Sequence, residues 1–185
     1  MRKKVLILSG SPRKNGNSDL LCDEFLKGAD EAGHETQKIF LHDKKINCCI
    51  GCCSCYNYNN DASSGVCAIK DDMQEIYEKM CLADVIVMAS PVYFYSICAG
   101  MKTVIDRCFA KWKEIKNKEF YYIITAGENS DTAKDCTLEC FRGFARCLEG
   151  SIEKGVIFAK GVYEKGEVKD TRYMNEAYEM GKSIF

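Results

Sequence analysis

Five short strand-like stretches, separated by stretches with helical spacing, constrain this chain more than any other feature. Residues 3–8, 35–41, 85–89, 119–125 and 152–159 read as strands, and residues 18–32, 71–82, 99–109, 131–148 and 171–184 read as helices. The run Val85-Ile86-Val87-Met88-Ala89 is apolar throughout, as expected of a strand covered on both faces. On the first helix Leu21, Phe25 and Leu26 fall on one face, and Gly33 supplies the stop. Asp71 and Asp72 open the second helix, where carboxylates are favoured at the positive end. Strands alternating with helices form parallel βαβ units with right-handed crossovers, so an α/β fold of one domain over residues 1–185 is expected. Two stretches lie outside the pattern: a cysteine-rich insertion at about 47–70, and residues 161–170.

Composition narrows the partners. The formal net charge is −1, which gives no electrostatic reason to bind nucleic acid or an anionic membrane. No apolar run approaches the roughly 20 residues of a membrane span, and the apolar residues after Arg2-Lys3-Lys4 are too few for a secretory signal. Thirteen cysteines, an odd number, suit a reducing compartment, so the chain reads as cytoplasmic. Cys22, Cys81, Cys98, Cys108, Cys136, Cys140 and Cys147 are scattered and read as small buried hydrophobes.

In a parallel sheet ligands sit beyond the carboxyl ends of the strands, and three loops emerge there. The first, SGSPRKNGNS, offers side-chain donors from Ser9, Ser11, Asn17 and Ser18 and a fork from Arg13, with free N–H groups at the following helix start. Gly10 and Gly16 allow close backbone approach. Neither a P-loop nor a G-x-G-x-x-G spacing is present; hydroxyls and an arginine suit the terminal phosphate of a mononucleotide. The second loop sets Tyr93, Phe94 and Tyr95 in succession after Pro91 and Val92. Three consecutive rings beyond a strand end cannot all point inward, and exposed rings suit a flat ligand. The third, Thr125-Ala126-Gly127-Glu128, is small and polar, and offers amides to a ring edge. A phosphorylated flat heterocycle fits this set, FMN best.

ILSGSPRKNGNS, DDMQEIYEKMCLADVIV and ASPVYFYSICAGMKTVIDR closely resemble the NADPH-dependent FMN reductase family, and within it the iron–sulfur flavoproteins. The resemblance covers about residues 3–127. It implies a flavodoxin-like three-layer sandwich with a five-stranded parallel sheet in the order 2-1-3-4-5, and non-covalent FMN. It also implies that Ser9, Ser11, Arg13, Asn17 and Ser18 hold the phosphate, and that Pro91, Val92, Tyr93, Phe94, Thr125, Ala126, Gly127 and Glu128 border the ring. Members are commonly homodimers or homotetramers.

The insertion contains Cys49-x2-Cys52-x2-Cys55 and, after eleven intervening residues, Cys67. Four thiolates in this arrangement suit a [4Fe–4S] cluster, and zinc less well; free or redox-labile thiols fit too. The last spacing is longer than in the iron–sulfur flavoproteins, so the alternatives stay open. Cys48 and Cys53 read as bystanders. Cys140 to Arg146 matches the C-x-x-G-x-x-R spacing of a cysteine phosphatase, but inside a helical pattern, where it is a coincidence. His34 and His42 read as surface residues, and Lys102 with Asp106 as a helix-face pair. The expected function is an FMN-dependent oxidoreductase carrying electrons from NAD(P)H to a flavin, quinone or other small acceptor; the chemistry belongs to the cofactor, so no catalytic side chain is required. The alternative is an electron carrier serving ferredoxin-like redox proteins, with a regulatory flavin protein as a third reading.

Overall fold

In a computed structural model, which describes residues 1–57, 62, 63 and 65–185, the alternation is realised with few departures. The elements are β1 (Lys4–Ser9), α1 (Asn17–Glu31), β2 (Glu35–Phe40), a short pair β3 (Tyr56–Asn57) and β4 (Ala62–Ser63), α2 (Met73–Leu82), β5 (Val85–Pro91), α3 (Ala99–Arg107), β6 (Glu119–Thr125), α4 (Asp135–Arg146), β7 (Ile152–Ala159) and α5 (Arg172–Lys182). The main sheet has the order β2-β1-β5-β6-β7, all parallel, which is the expected five-strand order. The insertion is less irregular than expected, since β3 and β4 pair antiparallel.

Strand alternation divides the core between the two sheet faces. Leu6, Leu8, Ile86 and Met88 join Met80, Met101, Val104 and Phe141 on one side. Val5, Ile7, Val85 and Val87 join Leu21, Phe25, Ala29 and Ala177 on the other. Every residue of β5 is buried, in keeping with its unbroken apolar run. Helices α1 and α5 cross so closely that a Cβ on Gly28 would lie 2.0 Å from Tyr178 O, and one on Gly181 2.0 Å from Phe25 O. Only glycine permits that approach. Among the described residues no helix is long and apolar enough to cross a membrane.

Register then places the loops. Ser9 is level with Ala89, Pro91 with Thr125, and Thr125 with Ala159, so the chain leaves β1, β5, β6 and β7 at one edge. The stretch expected as one helix over 131–148 is a 3-10 turn (Asp131–Lys134), capped by Ser130, followed by α4. Its buried face is Thr137, Leu138, Phe141, Phe144 and Ala145, which leaves Cys136 and Cys147 exposed and Cys140 half-buried. Cys22, Cys98 and Cys108 are buried as expected, and Cys81 is half-buried. His34 is also corrected. It is buried, with Nδ1 accepting from Lys3 N at 3.1 Å and Nε2 3.0 Å from Ile184 O. His42 is exposed, and Lys102 pairs with Asp106 on α3.

Candidate functional site

The three expected loops meet, and a fourth joins them. Arg13, Pro91, Val92, Tyr93, Phe94, Thr125, Gly127 and Glu128, with Val162 and Tyr163, line one cavity of about 460 Å³, a size suited to a small-molecule or cofactor site. Val162 and Tyr163 follow β7, whose end lies at the same sheet edge. That edge rule was the available signal for them.

The first loop is folded by its own polar groups. Gly10 N donates to Ala89 O at 2.9 Å, and a Cβ there would stand 2.8 Å from Cys98 Sγ. Ser11 Oγ accepts from Arg13 N at 3.1 Å, and Gly16 N donates to Arg13 O at 2.9 Å. The buried Asp19 carboxylate accepts from Ser9 Oγ at 3.1 Å, Asn15 N at 2.9 Å and Lys38 Nζ at 3.0 Å. Ser9 therefore serves the loop rather than the cavity. Asn17 is likewise committed: Nδ2 donates to Val162 O (3.1 Å) and Glu164 O (2.9 Å), while Oδ1 accepts from Gly166 N (3.0 Å) and Val168 N (3.3 Å). In this structure it clasps the fourth loop instead of facing a ligand. Arg13 makes only long contacts, 3.4 and 3.5 Å to Tyr163 O, and remains able to meet an anion. Ser18 is buried in the first turn of α1, five residues after Arg13.

The aromatic turn is a strained one. Tyr93 and Ser96 exchange backbone hydrogen bonds of 3.0 Å each way, and the residues between them, Phe94 (φ 48°) and Tyr95 (φ 59°), are both left-handed. For residues with a Cβ this costs roughly 1–2 kcal/mol each, and such strain concentrates at ligand sites. Its effect is visible: Phe94 is fully exposed at the cavity rim. Tyr95 Oη donates to Glu128 Oε2 at 2.5 Å, which ties the second loop to the third and raises the tyrosine pKa through that hydrogen bond and the carboxylate charge. Ala126 does not line the cavity; it is buried, donating to Ala159 O and accepting from Val162 N, each at 2.9 Å. Gly127 is the floor under Tyr163, whose Cδ2 would lie 2.7 Å from a Cβ there. A cation at one end, rings and a proline along one wall and a glycine floor fit FMN.

In the insertion Cys49 and Cys52 are exposed, Cys55 is half-buried and Cys67 is buried. The Cys55 thiol is pushed up by burial, with charge on Cys67, Cys49 and Cys52 adding to it. Cys52 is lowered by the Ser54 hydroxyl, which donates to its sulfur at 3.2 Å. The donor chemistry suits a thiolate-held metal, although among the described residues no three Cys, His, Asp or Glu side chains are gathered at metal-holding distance.

The NADPH-dependent FMN reductase family profile matches residues 3–138. An iron–sulfur flavoprotein of Methanocaldococcus jannaschii is 46% identical over 104 residues, 56% of this chain and 51% of that protein. One from Archaeoglobus fulgidus is 39% identical over 104 residues, 56% and 44% of the two chains. The chain thus spans about half the length of the curated relatives it matches. Among solved structures, an FMN-dependent NADH-azoreductase of Bacillus anthracis in complex with FMN superposes with a TM-score of 0.71 at 18% identity, covering 96% of this chain and 97% of that one, a likeness of fold. With loops, sheet order and profile in agreement, this chain belongs to the NADPH-dependent FMN reductase family.

Proposed function

We propose that this chain is an FMN-dependent oxidoreductase moving electrons from NAD(P)H to a flavin, a quinone or another small acceptor. The observation that carries this reading is the single cavity in which Arg13, the strained aromatic turn and the Gly127 loop converge. Arg13, with Ser11, Ser18 and the start of α1, would hold the phosphate. Pro91 to Phe94, Thr125, Gly127 and Glu128 would border the ring, and Tyr163 would shield it from water. FMN held there supplies the redox chemistry. The protein would bind and orient it. The test is the absorption spectrum of the purified protein, followed by anaerobic addition of NADPH. Flavin bands that bleach within the mixing time support the reading; a protein that retains no FMN, or whose flavin stays oxidised, overturns it.

A second reading, an electron carrier that exchanges electrons with a redox protein, is favoured by the Cys49-x2-Cys52-x2-Cys55 spacing with Cys67 beyond it and by the iron–sulfur relatives. These four residues would hold a [4Fe–4S] cluster. Iron and acid-labile sulfide in anaerobically prepared protein test it, and the absence of both refutes it. Under either reading we place the chain in the cytoplasm as a homodimer or homotetramer, to be checked by light scattering.

A further inference from the structure

Helix α3 follows the aromatic turn that borders the candidate site. It starts at Ala99, just beyond that turn, and ends eight residues later at Arg107, about 12 Å away along the helix axis. Arg107 is 2% exposed, and the mechanism above makes no use of it. Its guanidinium donates to Asn47 O at 2.7 Å, Ile69 O at 3.4 Å, and Asp71 Oδ2 and Oδ1 at 2.9 and 3.1 Å. All of these acceptors lie on the two stems of the cysteine segment. None is on the sheet or another long helix. Asp71 Oδ2 accepts in turn from Asn47 N at 2.8 Å and Nδ2 at 3.2 Å, which closes the stems directly on each other. Asp72 repeats the arrangement one step out, accepting from Lys45 N at 2.7 Å while its own N donates to Lys45 O at 3.2 Å. Tyr77 Oη braces the clamp by donating to Arg107 O at 2.7 Å.

We propose that Arg107 is the positioning residue of the cysteine segment: from the far end of the helix that begins at the ring-binding turn, its fork fastens both stems and so fixes where Cys55 and Cys67 stand relative to the cavity. The geometry requires arginine. Three carbonyl or carboxylate partners are met by a planar fork, which a lysine ammonium cannot reproduce. The fork is aimed at the stems even though Nε, also buried, is left without a partner among the described residues, an arrangement rarely tolerated in a core. The inference rests on reading Cys49, Cys52, Cys55 and Cys67 as a working set. It asks which residue holds that set in place.

The test compares wild-type protein, R107K and R107Q in the FMN-bound state under anaerobic conditions. One readout is the maleimide alkylation rate at each cysteine, resolved by mass spectrometry. The other is the thiolate charge-transfer band formed on titration with cobalt(II). FMN retention serves as the control for an intact sheet edge. R107Q is expected to raise the alkylation rate at Cys67 by about a hundredfold, the order set by breaking a buried ion pair, and to abolish the cobalt band while FMN stays bound. R107K should fall between R107Q and wild type. Wild-type alkylation and cobalt binding in a folded R107Q would overturn the proposal. Should R107Q fail to fold, the double variant Arg107→Met with Asp71→Leu removes both charges at similar volume; it too must expose Cys67, and full protection there would overturn the proposal. Cobalt(II) that fails to bind even to wild type would sink the working set of thiols, while the alkylation contrast would still judge Arg107.

Discussion

Replacing Asn17 by alanine distinguishes a clasp from a phosphate ligand. The carboxamide is buried and makes four hydrogen bonds, all to the backbone of residues 162–168. Truncation leaves Val162 O, Gly166 N and Val168 N without their partner and takes from Glu164 O one of its two, the other being Glu167 N at 3.3 Å. At about 1 kcal/mol per neutral bond the loss approaches 4 kcal/mol; water can reach Glu164 O and Gly166 N, which lowers it to about 2–3 kcal/mol. For a chain of this size that corresponds to a fall in Tm of about 4–12 °C, read by calorimetry on the FMN-free protein. The ligand side of the argument is independent. The clasped loop carries Tyr163, which walls the ring end of the cavity, so its release should weaken FMN and riboflavin by the same factor. Titration of both ligands measures this. An N17A variant that melts with wild type, and loses FMN affinity while keeping riboflavin affinity, would refute the clasp and return Asn17 to the phosphate.

Three further outcomes are expected. Arg13→Ala should weaken FMN binding by about 1.5–3 kcal/mol, the range for a charged hydrogen bond, and leave riboflavin unchanged in the same titration; equal losses would remove Arg13 from the phosphate. Gly10→Ala would place a Cβ 2.8 Å from Cys98 Sγ and 2.9 Å from Ala89 O, and should destabilise the protein by about 1–3 kcal/mol, measured by urea denaturation. Burial alone would raise the Asp71 pKa, but hydrogen bonds from Arg107, Asn47 and Met73 outweigh it and hold it down at about 2, below the ordinary 3.8. A depressed carboxyl stabilises the folded state fully above its ordinary value and loses that contribution as pH falls through the folded one. The cysteine segment should therefore open between about pH 4 and pH 2, seen as faster amide exchange at residues 65–70, and D71N should lack this transition.

What the sequence could reveal was limited by the reach of each signal. The strands were legible because both sheet faces are covered, so β5 is one apolar run and β6 nearly so. Once the strands were placed, topology sent their loops to one edge without any further information. Cys136 and Cys147 read as buried hydrophobes but are exposed, because which side of α4 meets the sheet is set by Leu138, Phe141 and Phe144 packing on β6. His34 looked solvated because its partner, Ile184 O, lies 150 residues away. The same distance explains the candidate site. A loop rich in donors shows that polar groups gather there, yet a donor is available to a ligand only if no acceptor of the protein has claimed it. Asn17 is claimed by residues at least 145 positions on, and Ser9 by Asp19 ten positions on, whereas Arg13 is held only at 3.4 Å or more. Composition can therefore nominate a binding loop, while tertiary hydrogen bonding decides which of its members are left to bind.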